Sequence, residues 1–145
     1  MIEKKVSDPI FPIFIFALLF FVSFYDNIYG VKNLDELTRR IIAFRDARDW
    51  KQFHNPKDCA ISLSLEASEL LEHFQWKNAE EMKEYIKTHK EHIGDELADV
   101  LYWVLLMSYD LNIDIIEVSN KKLKQNNEKY SVEKAKGKHT KYNKL

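Results

Sequence analysis

Glycine and proline are scarce in this chain, with three of each among 145 residues. That scarcity weighs against a turn-rich β-sandwich and against a nucleotide fold built on glycine loops. Cysteine is rarer still. Cys59 stands alone, so no internal disulfide can form and a Cys-rich zinc site is excluded. Charge of one sign is also missing: 22 Lys and Arg face 23 Asp and Glu, for a formal net charge of −1. Such near-neutrality offers no general attraction to a nucleic-acid polymer, and none is expected as a partner. What is present is an ordinary globular balance, 46% hydrophobic and 31% charged, at a length suited to one domain. The composition points to helix.

Three parts of unequal character follow one another. Residues 1–30 form an apolar leader, in which positions 9 to 25 (PIFPIFIFALLFFVSFY) carry no charge and follow Lys4 and Lys5. Three readings of this stretch stand open: a membrane anchor or uncleaved signal, a non-physiological extension, and a buried helix. Its length is at the short limit of a membrane span, and Pro12 interrupts its start. Membrane contact, if any, would come through residues 9–25. Residues 31–130 read as the functional helical domain, and residues 131–145 as a basic tail. The tail is either a solvated end or a flap that closes over an anionic ligand with its lysines.

Within 31–130, periodicity predicts a first helix opened by an Asn33–Glu36 capping box and fading near Phe53, with Leu37, Ile41, Phe44 and Arg48 on one face. Pro56 opens a second helix over about Lys57 to Trp76. Asn78 caps a short charged helix to about Lys87, a third long helix runs from about Glu91 to Leu111, and Asp114 opens a fourth to about Tyr130. The expected fold is all-α, an antiparallel bundle of four to five helices.

Two acidic clusters interrupt apolar helix faces. Glu66 and Glu69 are three residues apart, as are Glu96 and Asp99, so each pair emerges on one face about a turn apart. Like charges so placed repel unless a cation or a basic partner compensates them. If the second and third helices pack antiparallel, the four carboxylates converge. Oxygen ligands at that density suit Mg2+, or Mn2+, better than zinc. The plainer alternative is that these acids merely solvate exposed faces. A di-iron bundle is disfavoured, because no glutamate has a histidine three residues later. His89 and His92 read as a solvated pair.

The stretch Phe44-Arg45-Asp46-Ala47-Arg48-Asp49-Trp50-Lys51-Gln52-Phe53-His54-Asn55-Pro56 resembles the opening helix and loop of the MazG-like all-α nucleoside triphosphate pyrophosphohydrolases, especially their dCTP pyrophosphatase branch. The resemblance continues in order through Glu66-x-x-Glu69-Leu-x-Glu72-x-Phe74-Gln75-Trp76, Asp95-Glu96-Leu-Ala-Asp99 and Lys122-x-x-x-Asn126-x-x-Lys129-Tyr130, covering roughly residues 34 to 142. It implies a cytoplasmic enzyme, a dimer or tetramer with active sites near subunit contacts, that cleaves a nucleoside triphosphate to monophosphate and pyrophosphate. Carried over by position, it makes Glu66, Glu69, Glu96 and Asp99 the Mg2+ ligands, with Glu69 the first choice as catalytic base. Lys122, Asn126, Lys129 and Tyr130 would contact the triphosphate, and Trp50, His54 and Trp76 would help form the base pocket. A cap on the following helix is the equal alternative for His54. Two departures bear on base choice: Ile41 stands where vertebrate dCTP-preferring members place a histidine, and Trp103 where they carry a smaller aromatic. The competing expectation is a non-catalytic helical module that binds nucleotide or protein, with or without a membrane tether.

Overall fold

The computed structural model describes residues 33–144. The apolar leader, including residues 9 to 25, lies outside them. Two compact units divide the chain after Leu37, and only Asn33–Leu37 of the first is described. Those residues begin α1 (Leu34–Asp46), where the Asn33 side chain accepts the Glu36 backbone N–H at 2.9 Å. The second unit starts at Thr38.

All regular elements among the described residues are helical: α1, α2 (Pro56–Glu72), α3 (Ala79–Asp110), α4 (Ile115–Lys129) and the short α5 (Val132–Ala135), with 3-10 turns at Trp50–Phe53 and Tyr142–Lys144. The first helix stops earlier than its periodicity suggests. Asp49 takes the left-handed conformation (φ 54°), and the Gln52 side chain bonds both its carbonyl and its carboxylate. Aspartate tolerates that conformation because short polar side chains bond locally there. The chain turns back, and Trp50 meets the edge of Phe44 with centroids 5.9 Å apart.

Asn55, not His54, caps α2. Its side chain accepts the Asp58 N–H at 3.0 Å, and Pro56 occupies the first turn, where a missing N–H is harmless. The two helices expected on either side of residues 87–91 meet at a kink. α3 counts 32 residues, but His89 leaves helical geometry (φ −119°, ψ 20°) and divides it into helical segments 79–88 and 90–110. No glycine or proline separates Lys87 from Glu91, so the chain bends at His89 without a connecting loop. A full capping box at Asn78 and Glu81 starts α3. Asn112, at φ 53°, stops it: Ile113 N–H reaches back to Ser108 C=O at 2.8 Å, the bond of a Schellman end. Asp114 then caps α4 through the Glu117 N–H at 2.8 Å.

α2 against α3 is the one extensive helix pairing among the described residues. Its register follows from side-chain contacts. Glu66 meets Trp103, Glu69 feels Glu96, and His73 bonds Tyr85, so rising numbers on α2 meet falling numbers on α3. The pair is antiparallel. α1 joins through Arg45, fully buried, whose Nη1 donates to both oxygens of Asp110 at 2.8 and 2.7 Å and whose Nε donates to Asp46. Burial opposes the guanidinium charge, but the bonds to Asp110 and Asp46 outweigh it and raise its pKa. Beside this pair sit Ile41, Ile42, Cys59, Leu105 and Leu106, the buried apolar core. Burial pushes the Cys59 thiol up, which leaves it an inert packing group.

Candidate active site

The antiparallel register brings the acidic faces of α2 and α3 together. One carboxylate oxygen each from Glu66, Glu96 and Asp99 lies within 4.8 Å of the others. Opposite ligands of an octahedral Mg2+ stand about 4.2 Å apart, so a modest closure of these side chains would bring all three into contact with one ion. Three hard oxygens without sulfur or imidazole suit Mg2+ or Mn2+. Glu69 falls outside this group of three but is electrostatically joined to it. The charge of Glu96 raises its pKa first, then that of Glu66, with Glu72 and Asp99 adding smaller amounts. Such mutual repulsion is what a bound cation relieves.

Glu66 and Asp99 also form one side of a cavity of about 560 Å³, whose other walls include Ile41, Phe44, Trp50, His54, Tyr102 and Trp103. That volume suits a small organic ligand, and an aromatic wall beside an acidic rim suits one with a flat ring at one end and a metal-binding anion at the other. His54 is tilted against Trp103 with centroids 5.3 Å apart, and its Nδ1 is buried without a hydrogen-bond partner. Buried polar atoms are nearly always paired, which makes this nitrogen an exception among the described residues.

The residues expected from sequence divide at this point. Trp50 and His54 line the same cavity as Glu66 and Asp99. Trp76 does not: it is 85% exposed and borders a separate surface depression with Lys77, Glu81, Glu84, Tyr85 and Thr88. Lys122, Asn126 and Lys129, on α4, and Tyr130 at its C-cap are exposed, and none of them lines the cavity. Tyr130 packs edge-on against Tyr142 at 5.8 Å, which draws the basic tail back toward α4. Phe44, Tyr102 and Arg40 border the cavity without having been singled out as site residues. Phe44 and Arg40 lie on the same face of α1, four residues apart, a spacing that also reads as ordinary core packing. Tyr102 had no such signal, since position within an apolar helix says nothing of which neighbour it meets.

Comparison with known proteins gives the family. The MazG-like family profile matches residues 61–145. The chain belongs to the MazG-like family. Over 115 residues it is 32% identical to dCTP pyrophosphatase 1 of Mus musculus and 29% identical to that of Homo sapiens, covering 78% of this chain and 68% of each relative. Among solved structures, a pyrophosphatase from Archaeoglobus fulgidus superposes with a TM-score of 0.66 at 36% identity, covering 71% of this chain and 96% of that one. This MazG-like chain is accordingly an all-α enzyme of the nucleoside triphosphate pyrophosphohydrolase class, and the expectation of a non-catalytic module falls away. Among the described residues no helix is long and apolar enough to cross a membrane.

Proposed function

We propose that this MazG-like enzyme hydrolyses a (deoxy)nucleoside triphosphate between its α- and β-phosphates, with Mg2+, or Mn2+ in its place, held by Glu66, Glu96 and Asp99 and within reach of Glu69. The observation that carries this reading is the meeting of three carboxylates, two of which, Glu66 and Asp99, line an aromatic cavity. A bound divalent ion would offset the triphosphate charge and polarise the α-phosphate. Without it the acids repel a polyanion. Glu69, its pKa raised by its neighbours, takes the proton of the water that attacks the α-phosphorus. The bond from that phosphorus to the bridging oxygen breaks, and pyrophosphate leaves with the bridging oxygen.

In this reading the base enters between Trp50, His54 and Trp103, where the unpaired His54 Nδ1 meets a polar edge of the ring. A cytosine base is the leading choice, supported by the names of the mammalian relatives and tempered by Ile41 and Trp103 in the cavity wall. Lys122, Asn126, Lys129 and Tyr130 serve the phosphates from a second copy of the chain, with Trp76 contributing at the same contact. Large apolar side chains left open along the helices support such an assembly: Ile61, Leu65, Leu71, Leu97, Ile116 and Leu123 are each about half exposed or more. Residues 31–130 act as the catalytic domain, in the cytoplasm where triphosphates are plentiful.

The test is a product assay on the purified full chain with a panel of NTPs and dNTPs and with Mg2+ present. Equimolar monophosphate and pyrophosphate, fastest for dCTP, are expected. Orthophosphate in place of pyrophosphate would reject the bond assignment, and equal turnover of all bases would reject the cytosine preference.

A further inference from the structure

Trp103 touches both halves of the cavity. It stands four residues beyond Asp99 and seven beyond Glu96, which puts it on the same face of α3 as both acids. Its indole N–H crosses to α2 and donates to Glu66 Oε1 at 3.3 Å. The same ring lies against His54 at 5.3 Å, and Tyr102 meets it edge-on at 5.3 Å. No other hydrogen bond to Glu66, Glu96 or Asp99 side chains is made among the described residues. Of the three converging carboxylates, Glu66 is therefore the one held by a neighbour from the opposite helix.

We propose that Trp103 is a positioning residue that sets the metal-binding orientation of Glu66 and couples it to the base pocket. This rests on the pyrophosphohydrolase reading above. A carboxylate free to rotate loses side-chain entropy when it binds an ion, and an N–H on one oxygen removes part of that loss beforehand while leaving the second oxygen for the ion. Charge assistance strengthens the bond, though its length puts it toward the weak end of the range. Because one rigid ring makes both contacts, a base that presses on the indole also moves the donor of Glu66. Metal affinity and base recognition thus share a side chain in this enzyme. A smaller aromatic ring at this position would lack the indole N–H and its reach.

The experiment uses the full chain and Mn2+ alone, followed by electron paramagnetic resonance. Trp103→Phe keeps an aromatic ring and removes the N–H. Its Mn2+ affinity should fall roughly 10-fold, the lower end of what loss of a ligand-orienting bond costs. In a Glu66→Gln background the same change should cost far less, since the bond is already altered. A loosened core would lower the affinity equally in both backgrounds. Unchanged Mn2+ affinity in folded Trp103→Phe, beside a parent that binds, overturns the proposal and leaves the enzyme reading intact. A parent that binds no Mn2+ overturns both. Should Trp103→Phe not fold, the parent itself answers: of its three indole N–H signals, the one that survives both Trp50→Phe and Trp76→Phe must shift on adding Mg2+, and a signal that stays still overturns the proposal.

Discussion

Glu69 is the residue at which electrostatics and chemistry meet. Its raised pKa is due first to Glu96 and next to Glu66. A folded-state pKa above the ordinary carboxylate value means that the native protein binds the proton more tightly than the unfolded chain. The stabilisation is therefore complete below the ordinary value near 4.5 and is lost as pH rises through the raised one. Metal-free protein should accordingly melt at lower temperature as pH climbs through the weakly acidic range. Glu69→Gln should flatten that slope and melt higher than the parent at neutral pH, as read by circular dichroism. An unchanged slope would mean that the acids do not share a field. Glu66→Ala and Asp99→Ala should lower kcat by 100-fold or more, roughly the scale of removing a group that stabilises developing charge, with helical content preserved. Arg45 is the opposite case. It is completely buried, and Asp110→Asn leaves it the half-exposed Asp46 as its remaining anionic partner among the described residues, so that change should cost about 3 kcal/mol in urea unfolding without entering the site.

Among the elements, α2 and α3 make the site and their ends keep it in register. Asn78 bonds two backbone N–H groups while Glu81 returns a bond to Asn78 N–H, so Asn78→Ala should cost about 1 kcal/mol and leave the substrate preference alone. Its check is a denaturant midpoint beside a kcat/KM ratio for two nucleotides. The 17 residues of α2 reach about 26 Å, whereas the kink at His89 divides α3 into segments of about 15 Å and about 32 Å. The caps at Asn33, Asn78 and Asp114 were all legible, because a cap depends on a few consecutive residues. So was a division near residues 87–91, which the structure realises as a kink at His89. Its form was not legible, because a polar stretch between two apolar patterns resembles a loop and nothing local says that the chain bends at a single residue.

At the scale of the whole molecule, the phosphate-binding candidates on α4 and the acids on α2 and α3 belong to different surroundings. Lys122 and Lys129 do not line the cavity that Glu66 and Asp99 border. Assembly through the exposed apolar faces would supply them from another copy. The particle mass in light scattering should then be a multiple of the 17.3 kDa chain. Two inactive variants, Glu66→Ala and Lys129→Ala, should recover part of the activity when unfolded together and refolded as mixed assemblies. No recovery from mixed assemblies of confirmed composition would place both residues in the same site of one chain.

Helical periodicity, the caps and the i,i+3 acid pairs are properties of short stretches, and the sequence alone determined them: an all-α chain with two carboxylate pairs on successive helices. Which residues met across helices was decided only by tertiary packing. It joined Glu66, Glu96 and Asp99 while leaving Glu69 beside them, drew Phe44 and Tyr102 to the cavity, and left Trp76 in another depression. The physical reason is that a local pattern states which face of a helix is apolar or charged, but the distance between two faces depends on the register of one helix against its neighbour, a sum over many weak contacts far apart in the chain.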